Sequence, residues 1–194
     1  MKNVKYSILA GIMIGVGGIT YLSVESKFLG SFLFTLGLIA IMYQKYHLFT
    51  GQVGYLGQKY KLSDLLVTLF FNCVSIAIIG VISSMWLKDK ALLIVQNKLS
   101  ISLLEVFIKA ILCGIVIYIA VELFKKDDKG VWTPIYIMAF ILCGFEHCVA
   151  NTFYFATANY FSIEVLIFIC VTVIGNALGS ILISFLEKQK EEVK

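Results

Sequence analysis

The stretch GFEHCVAN, residues 144–151, places a glutamate, a histidine and an asparagine inside an otherwise apolar run, residues 131–155. That run is long enough to cross a bilayer, because about 20 apolar residues in a helix span the hydrocarbon. Hydrocarbon penalises unpaired charge, so ionisable side chains at this depth usually face a protein-lined cavity or one another. The stretch therefore predicts a polar pathway or site within a membrane-spanning protein.

The composition points to the same class of protein. Of the 194 residues, 60% are hydrophobic and 14% are charged, and the mean hydropathy is +0.93. A soluble domain of this length would present more charge at its surface. We predict an all-α integral membrane protein with six transmembrane helices and short loops. The predicted spans are residues 6–24, which we do not interpret as a signal peptide, 28–46, 62–87, 101–124, 131–155 and 161–186.

Lysine alone sets the predicted orientation, since the chain contains no arginine. With the N-terminus inside, ten lysines fall on cytoplasmic segments, and four fall on outer loops, Lys27, Lys88, Lys90 and Lys98. This excess predicts two cytoplasmic termini. We expect a multi-pass protein of a bacterial inner (plasma) membrane, in contact with the lipid bilayer. No basic patch interleaved with aromatic residues indicates nucleic-acid binding.

The two halves of the chain resemble each other. The segment ILAGIMI, residues 8–14, corresponds to ILCGIVI, residues 111–117, at an offset of 103 residues, and Asn72 corresponds to Asn176 at an offset of 104. Three spans per repeat invert the second copy relative to the first. The pattern predicts a single transmembrane domain, 1–194, built from two inverted repeats, approximately 1–90 and 91–190.

The second and fifth spans are expected to be broken helices. In the second, an aliphatic run gives way to QKYH, residues 44–47, and then to Gly51, where a glycine can release the helical path. In the fifth, Gly144 and the polar residues after it interrupt an equally long run. Irregular backbone at membrane depth is tolerated only where it is buried in protein or lines a cavity. Both breaks therefore indicate a channel or a carrier.

Enzyme chemistry is not expected. Adjacent Glu146 and His147 do not share a helix face as zinc ligands do, and no nucleophile with a matching base is evident. The five cysteines lie within apolar spans without metal-ligand spacing, so we interpret them as packing residues, with no metal, cofactor or disulfide framework. They are Cys73, Cys113, Cys143, Cys148 and Cys170.

These residues resemble the formate/nitrite transporter family, whose members conduct small monovalent anions such as formate, nitrite and hydrosulfide. The resemblance rests on GFEHCVAN, on LFT at residues 48–50 and on GNALG at residues 175–179, in the family's order and at compatible spacing. It implies an aquaporin-like, six-helix protomer in a homopentamer, with one pore per protomer and a small monovalent anion as the substrate.

The resemblance also implies roles for individual residues in the pore. His147 is expected to be the central pore histidine, with Thr50 as its polar partner; Thr50 is also placed to cap the short helix after the break. Asn151 is expected to line the pore, and Lys98 to attract the anion. Structural support of the broken helices is expected from Glu146, Asn72, Asn176 and Gly144. The implied constrictions are Phe34 with Phe140, and Leu38 with Leu48 and Ile117.

The chain departs from the family pattern at several positions. Gly114 stands where the family commonly has an asparagine, which removes a possible donor and is expected to leave room beside the anion. Lys45 lies among bulky residues before Leu48, where the family has small and acidic ones. Lys109 follows Glu105 by four residues, the helical spacing of an ion pair, and either a protomer interface or the pore is an equally good place for this pair.

The predicted function is a membrane channel for small weak-acid anions. Apolar constrictions disfavour a bare anion, while an imidazole with an ordinary pKa near 6.5 can give it a hydrogen bond or a proton. Faster uptake at lower external pH is expected. The alternatives are a proton-coupled secondary carrier of a small monocarboxylate, with alternating access, and a non-conducting scaffold subunit.

Overall fold

The computed structural model describes residues 2–126 and 132–192, and every regular element in this part of the chain is helical, as predicted. Residue 131, the predicted start of the fifth span, lies outside the described residues, as do Lys129 and Lys194 of the inner lysines. The helices are α1 (Lys2–Ser23), α2 (Lys27–Tyr43), α3 (Phe49–Gln52), α4 (Leu62–Leu99), α5 (Leu103–Lys126), α6 (Thr133–Leu142), α7 (Cys148–Thr157) and α8 (Ile163–Glu192). A 3-10 turn, Val53–Tyr55, follows α3.

Within the described residues, α1, α4, α5 and α8 are long and apolar enough to cross a membrane, judged by length and composition. Helices α2 and α6 are shorter but also apolar. The outer faces of α4 and α8 carry exposed large hydrophobic side chains, among them Phe70, Met85 and Phe185. Such faces suit contact with lipid rather than water.

Helix α4 is longer than the sequence predicted. Lys88, Lys90 and Lys98 were expected in a loop, but they are helical, and α4 continues to Leu99. The physical reason is the buried series Leu87, Ala91 and Val95, whose spacing of four residues keeps one face of the helix in the core. Lys98 therefore lies in the last turn of α4 rather than beside the fourth span.

The long helices pack in two equivalent pairs, α1 on α4 and α5 on α8. Both pairs approach to backbone contact at a glycine. A Cβ atom on Gly11 of α1 would lie 2.5 Å from the Asn72 carbonyl oxygen, and one on Gly114 of α5 would lie 2.2 Å from the Asn176 carbonyl oxygen. Small residues permit such close crossings between membrane helices. The crossings fix Asn72 and Asn176 at corresponding places in the two halves.

The short helices connect the halves. Helix α3 and the turn after it contact α5 and α8, whereas α7 packs along α4. Each interrupted segment thus lies against a long helix of the other half. The two interruptions are residues 44–48 and 143–147. At their inner ends, Thr50 of α3 and His147 come within hydrogen-bond distance in the buried interior, where the candidate site is found.

Candidate functional site

The site begins with two helices that end in the same way. The N–H of Tyr46 donates to the Ile41 carbonyl after α2, and the N–H of Phe145 donates to the Phe140 carbonyl after α6, both at 2.9 Å. The residue before each donor is left-handed, Lys45 at φ 53° and Gly144 at φ 67°. This is the Schellman arrangement that terminates helices. The expectation that Gly51 releases the second span is wrong, because Gly51 lies inside α3 and the turn falls at Lys45.

Two buried asparagines hold the chain after these turns. Asn72 accepts from the N–H of Phe49 at 2.9 Å and donates to the carbonyls of Ser7 and His47. Asn176 accepts from the N–H of Cys148 at 2.9 Å and donates to the carbonyls of Ala110 and Glu146, both at 2.8 Å. Each amide thus satisfies one N–H and one carbonyl that an interrupted helix would leave unpaired, and it ties them to a carbonyl of α1 or α5.

His147 is the N-cap residue of α7. Its Nδ1 accepts from the N–H of Ala150 at 3.1 Å, and a backbone N–H can only donate, so Nδ1 carries no proton in this arrangement. The neutral ring must then hold its proton on Nε2. The cap therefore fixes both the orientation of the imidazole and its tautomer.

Thr50 lies opposite His147. Its Oγ1 is 2.9 Å from His147 Nε2, and both residues are buried. Given the tautomer, Nε2–H donates to Thr50, which leaves the hydroxyl hydrogen of Thr50 available to another acceptor. The expected capping role of Thr50 is wrong. Leu48 is the N-cap residue of α3 and makes no side-chain cap bond, while Asn72 satisfies the first N–H of that helix.

A cavity of about 280 Å³ lies above this pair, at the end of the bundle where α2 begins and α4 ends. Its wall combines aromatic rings with polar groups from α2, α4, α5 and the interruption before α7. The predicted site residues on this wall are Phe34, Lys98, Phe140, Gly144, Glu146, His147 and Asn151, together with Lys109 from α5. Thr50 does not itself line the cavity, but it contacts the wall residue His147.

Phe34 and Phe140 narrow the cavity. Their ring centroids are 6.2 Å apart in an edge-to-face arrangement, and the Phe140 ring is stacked 5.8 Å from the imidazole of His147. The other expected constriction residues, Leu38, Leu48 and Ile117, are buried in the hydrophobic core and do not line this cavity. The two phenylalanines thus line the cavity beside His147, whereas the three aliphatic residues lie in the core away from the cavity wall.

Asn151 presents an unsatisfied donor. The residue is 1% exposed, lies on the cavity wall, and its Nδ2 has no hydrogen-bond partner among the described residues. Tyr154, which sequence reasoning missed, also lines the cavity. It follows His147 by seven residues and Asn151 by three, the spacing of one helix face, so the sequence did contain the signal.

Lys98 and Glu146 form a mostly buried ion pair. Their charged atoms are 2.5 Å apart, and the side chains are 14% and 4% exposed. The Lys98 ammonium also lies 5.8 Å from the centre of the Tyr154 ring. Although the sequence supplied both residues, the pairing was not predicted. It means that the charge of Lys98 is already compensated within the cavity wall.

Gly114 does not leave room beside the cavity. It is absent from the cavity wall, and a side chain there would meet the backbone of Asn176 instead. The expected extra space is therefore wrong, because Gly114 is required for the crossing of α5 and α8. Among the cysteines, Cys113 and Cys148 are buried as expected, but Cys143 lies at the end of α6 and, like Cys170, is exposed.

The sequence matches a family model described as formate/nitrite transporter over residues 1–187. A curated relative, the uncharacterized transporter YrhG of Bacillus subtilis (strain 168), is 28% identical over 158 residues. The aligned part is 70% of this chain and 59% of YrhG. The chain thus spans less than two thirds of that relative's length.

Two solved structures share the fold. A pentameric formate channel with formate bound has a TM-score of 0.87 at 23% identity, over 100% of this chain and 97% of that one. An FNT family ion channel has a TM-score of 0.82 at 19% identity, over 97% of this chain and 89% of that one. At these identities the likeness establishes a common fold.

Proposed function

The chain belongs to the formate/nitrite transporter family, and from this membership we propose that it is a channel for small monovalent weak-acid anions such as formate, nitrite or hydrosulfide. The observation that carries the proposal is the amide nitrogen of Asn151, which is buried on the same cavity wall as His147 and has no hydrogen-bond partner within the described part of the chain. A buried donor without a partner costs about 1–3 kcal/mol. A small anion with hydrogen-bond acceptors would remove that cost.

Two kinds of group would act on the anion. The rings of Phe34 and Phe140 exclude water, which makes the passage of a bare charge expensive. Asn151 Nδ2–H and the Thr50 hydroxyl replace part of the lost hydration, and His147 Nε2–H orients that hydroxyl by donating to its oxygen. A weak acid then crosses the apolar segments most easily in its neutral form, and Leu38, Leu48 and Ile117 would make the second such segment.

We assign His147 a hydrogen bond rather than the transfer of its own proton. A cationic ring would carry a proton on Nδ1, and that proton would face the N–H of Ala150. Protonation would therefore break the N-cap of α7. In this mechanism the proton that neutralises the weak acid comes from water.

The architecture proposed for the protein follows the predicted repeats. Helix α2 with α3, and α6 with α7, would each count as one interrupted span, which gives six spans in two inverted repeats, approximately 1–90 and 91–190, of one domain. The matching helix ends at residues 45 and 144 and the matching bonds of Asn72 and Asn176 support this reading.

The assembly and location are proposed on separate grounds. The likeness to a pentameric formate channel supports a homopentamer. The excess of lysine on predicted inner segments supports both termini in the cytoplasm, and we place the protein in a bacterial inner membrane. The cavity would then face outward, because α2 would begin and α4 would end on the outer side.

The experiment is flux through liposomes that contain the purified protein. Formate, nitrite and hydrosulfide uptake are measured at external pH of about 5.5 and about 7.5, on either side of the ordinary imidazole pKa. We expect saturation-free flux of at least one anion, faster at the lower pH. Accumulation against a gradient would favour the proton-coupled carrier instead, and no flux of any of the three would favour a scaffold subunit.

Two variants separate the roles of His147. His147→Asn keeps a good N-cap residue and removes Nε2–H, whereas His147→Ala removes both and costs a further ~1 kcal/mol of stability. Both should lose selective flux, and only the alanine variant should lower the melting temperature appreciably. Selective flux that survives in both variants would contradict a pore role for the imidazole.

A further inference from the structure

Lys109 is a charged residue on the cavity wall with no role in the proposed mechanism. It lies on α5, and its ammonium is 2.7 Å from a carboxylate oxygen of Glu105, one helical turn earlier. The Lys109 side chain is 29% exposed and that of Glu105 is 47% exposed. Glu105 does not itself line the cavity. The pair therefore lies where the cavity wall meets the surroundings.

The charges on the cavity wall do not cancel. Among the described residues, the wall contains three lysines, Lys27, Lys98 and Lys109, and one carboxylate, Glu146. Lys98 and Glu146 neutralise each other at 2.5 Å in a mostly buried pair. Of the other two, Lys109 is paired only with Glu105, which is half exposed and lies off the wall, so Lys27 and Lys109 supply the net positive charge of the wall itself. Lys98, expected from the resemblance to attract the anion, has the least uncompensated charge of the three.

Lys109 is held in a fixed place relative to the site. Its carbonyl accepts from the N–H of Glu146 at 3.4 Å, and the carbonyl of the next residue, Ala110, accepts from Asn176. The same short segment of α5 thus anchors the interruption that carries His147. Lys27, by contrast, is exposed at the first residue of α2.

We propose that Lys109 is the outer anion-collecting residue of the cavity and that Glu105 is its internal competitor, which an entering anion displaces from the ammonium. The inference rests on the proposed channel function and adds a residue that controls access. Exposed ion pairs are weak because solvent screens them, so the exchange of Glu105 for an anion is easy. Glu105 thereby lowers the attraction of the cavity for anions without closing it.

The test compares two charge changes in the liposome assay, at low and at high ionic strength and at low anion concentration. Lys109→Gln should reduce flux at low salt by about threefold, the effect of one unit charge at a distance of several ångströms in water. Glu105→Gln should raise it by a similar factor. Both effects should fade at high salt, where screening shortens the range of the charge.

The control is Lys90→Gln, which removes the same charge from an exposed residue of α4 that does not line the cavity. It should leave flux unchanged at both salt concentrations. Lys109→Arg should conduct like the wild type, because the charge is kept.

The possible outcomes distinguish a failure of this inference from a failure of the proposed channel function. If the wild-type protein conducts none of the tested anions, the proposed function fails and the inference fails with it. If the wild type conducts while Lys109→Gln and Glu105→Gln both match it at low salt, only the inference is overturned. Equal losses in Lys109→Gln and Lys90→Gln would also overturn it, since they would indicate a general surface charge effect. Glu105→Gln keeps the test sound should Lys109→Gln fold poorly, because Glu105 is largely exposed.

Discussion

Thr50 Oγ1 lies 2.9 Å from His147 Nε2, although 97 residues separate them in the sequence. The contact exists because a buried asparagine holds the backbone next to each residue. Asn72 binds the N–H of Phe49, beside Thr50, and Asn176 binds the N–H of Cys148, beside His147. The pair joins the two halves of the chain at the base of the cavity. Several consequences of this arrangement can be measured.

The hydroxyl of Thr50 is expected to be needed for flux. Thr50→Val keeps the shape and removes the donor and acceptor, and it should reduce flux about tenfold or more, the loss of one hydrogen bond to a charged ligand. Thr50→Ser retains the hydroxyl and should stay within a few fold of the wild type. Equal flux in the valine variant and the wild type would show that the anion does not use this group.

The asparagine ties are expected to control stability. Asn176→Ala removes the partner of the Cys148 N–H and of the Glu146 carbonyl, and each buried group left unpaired costs about 1–3 kcal/mol. Asn72→Ala should behave alike. Thermal unfolding in detergent measures the change, with Asn97→Ala as control, since Asn97 is exposed. A melting temperature that Asn176→Ala leaves at the control value would contradict the role given to this amide.

Lys45 is expected to be a costly residue at its position. A side chain in the left-handed region costs roughly 1–2 kcal/mol, and Lys45 has φ 53° where Gly144 occupies the corresponding turn. Lys45→Gly should therefore raise the melting temperature, while Gly144→Ala should lower it. The same detergent assay checks both, and a stabilising Gly144→Ala would show that the turn is not left-handed in solution.

Restoring the asparagine that the family resemblance places at residue 114 is expected to harm the protein. Gly114→Asn, and even Gly114→Ala, would drive a Cβ to 2.2 Å from the Asn176 carbonyl oxygen and force α5 away from α8. The control is Gly51→Ala, where the nearest atom would be 3.6 Å from the new carbon. Yield of monodisperse protein and melting temperature are the measurements. If Gly114→Asn matches the wild type in both, the two helices do not cross this closely.

The ring pair at the cavity neck is expected to set the size limit. Phe34→Leu opens the contact with Phe140 while it keeps the core filled, and it should raise acetate flux relative to formate flux. An apolar site discriminates one extra carbon by about tenfold or more, so the change should be of that order. Phe32→Leu, on the exposed side of α2, is the control and should leave the ratio unchanged.

Much of the fold could be predicted because hydropathy is a local property. The apolar runs indicate which segments form membrane-spanning helices. The predicted and observed helix boundaries differ most where the helix continues beyond the apolar run, as α4 does to Leu99. The polar residues of GFEHCVAN and of QKYH, residues 44–47, indicated the interrupted segments for the same reason. A polar residue within an apolar run can be recognised from the sequence alone, whatever the run packs against in the structure.

Contacts between distant residues could not be predicted in this way. The pairing of Lys98 with Glu146 depends on the last turn of α4 reaching the interruption before α7, and the direction of Gly114 depends on where α5 crosses α8. Neither is encoded in the neighbouring residues. The left-handed turn at Lys45 was missed because lysine gives no sign of it, whereas Gly144 does.

By itself the sequence therefore determined the class of the protein, the helical segments and the residues that interrupt them, since these follow from composition and spacing along the chain. Only the tertiary structure decided which polar groups are satisfied and which remain free. His147 is oriented by its own helix and by Thr50, Lys98 is neutralised, and Asn151 has a donor without a partner among the residues that the structure describes. Those outcomes depend on distances of a few ångströms between helices, and helix packing alone sets them.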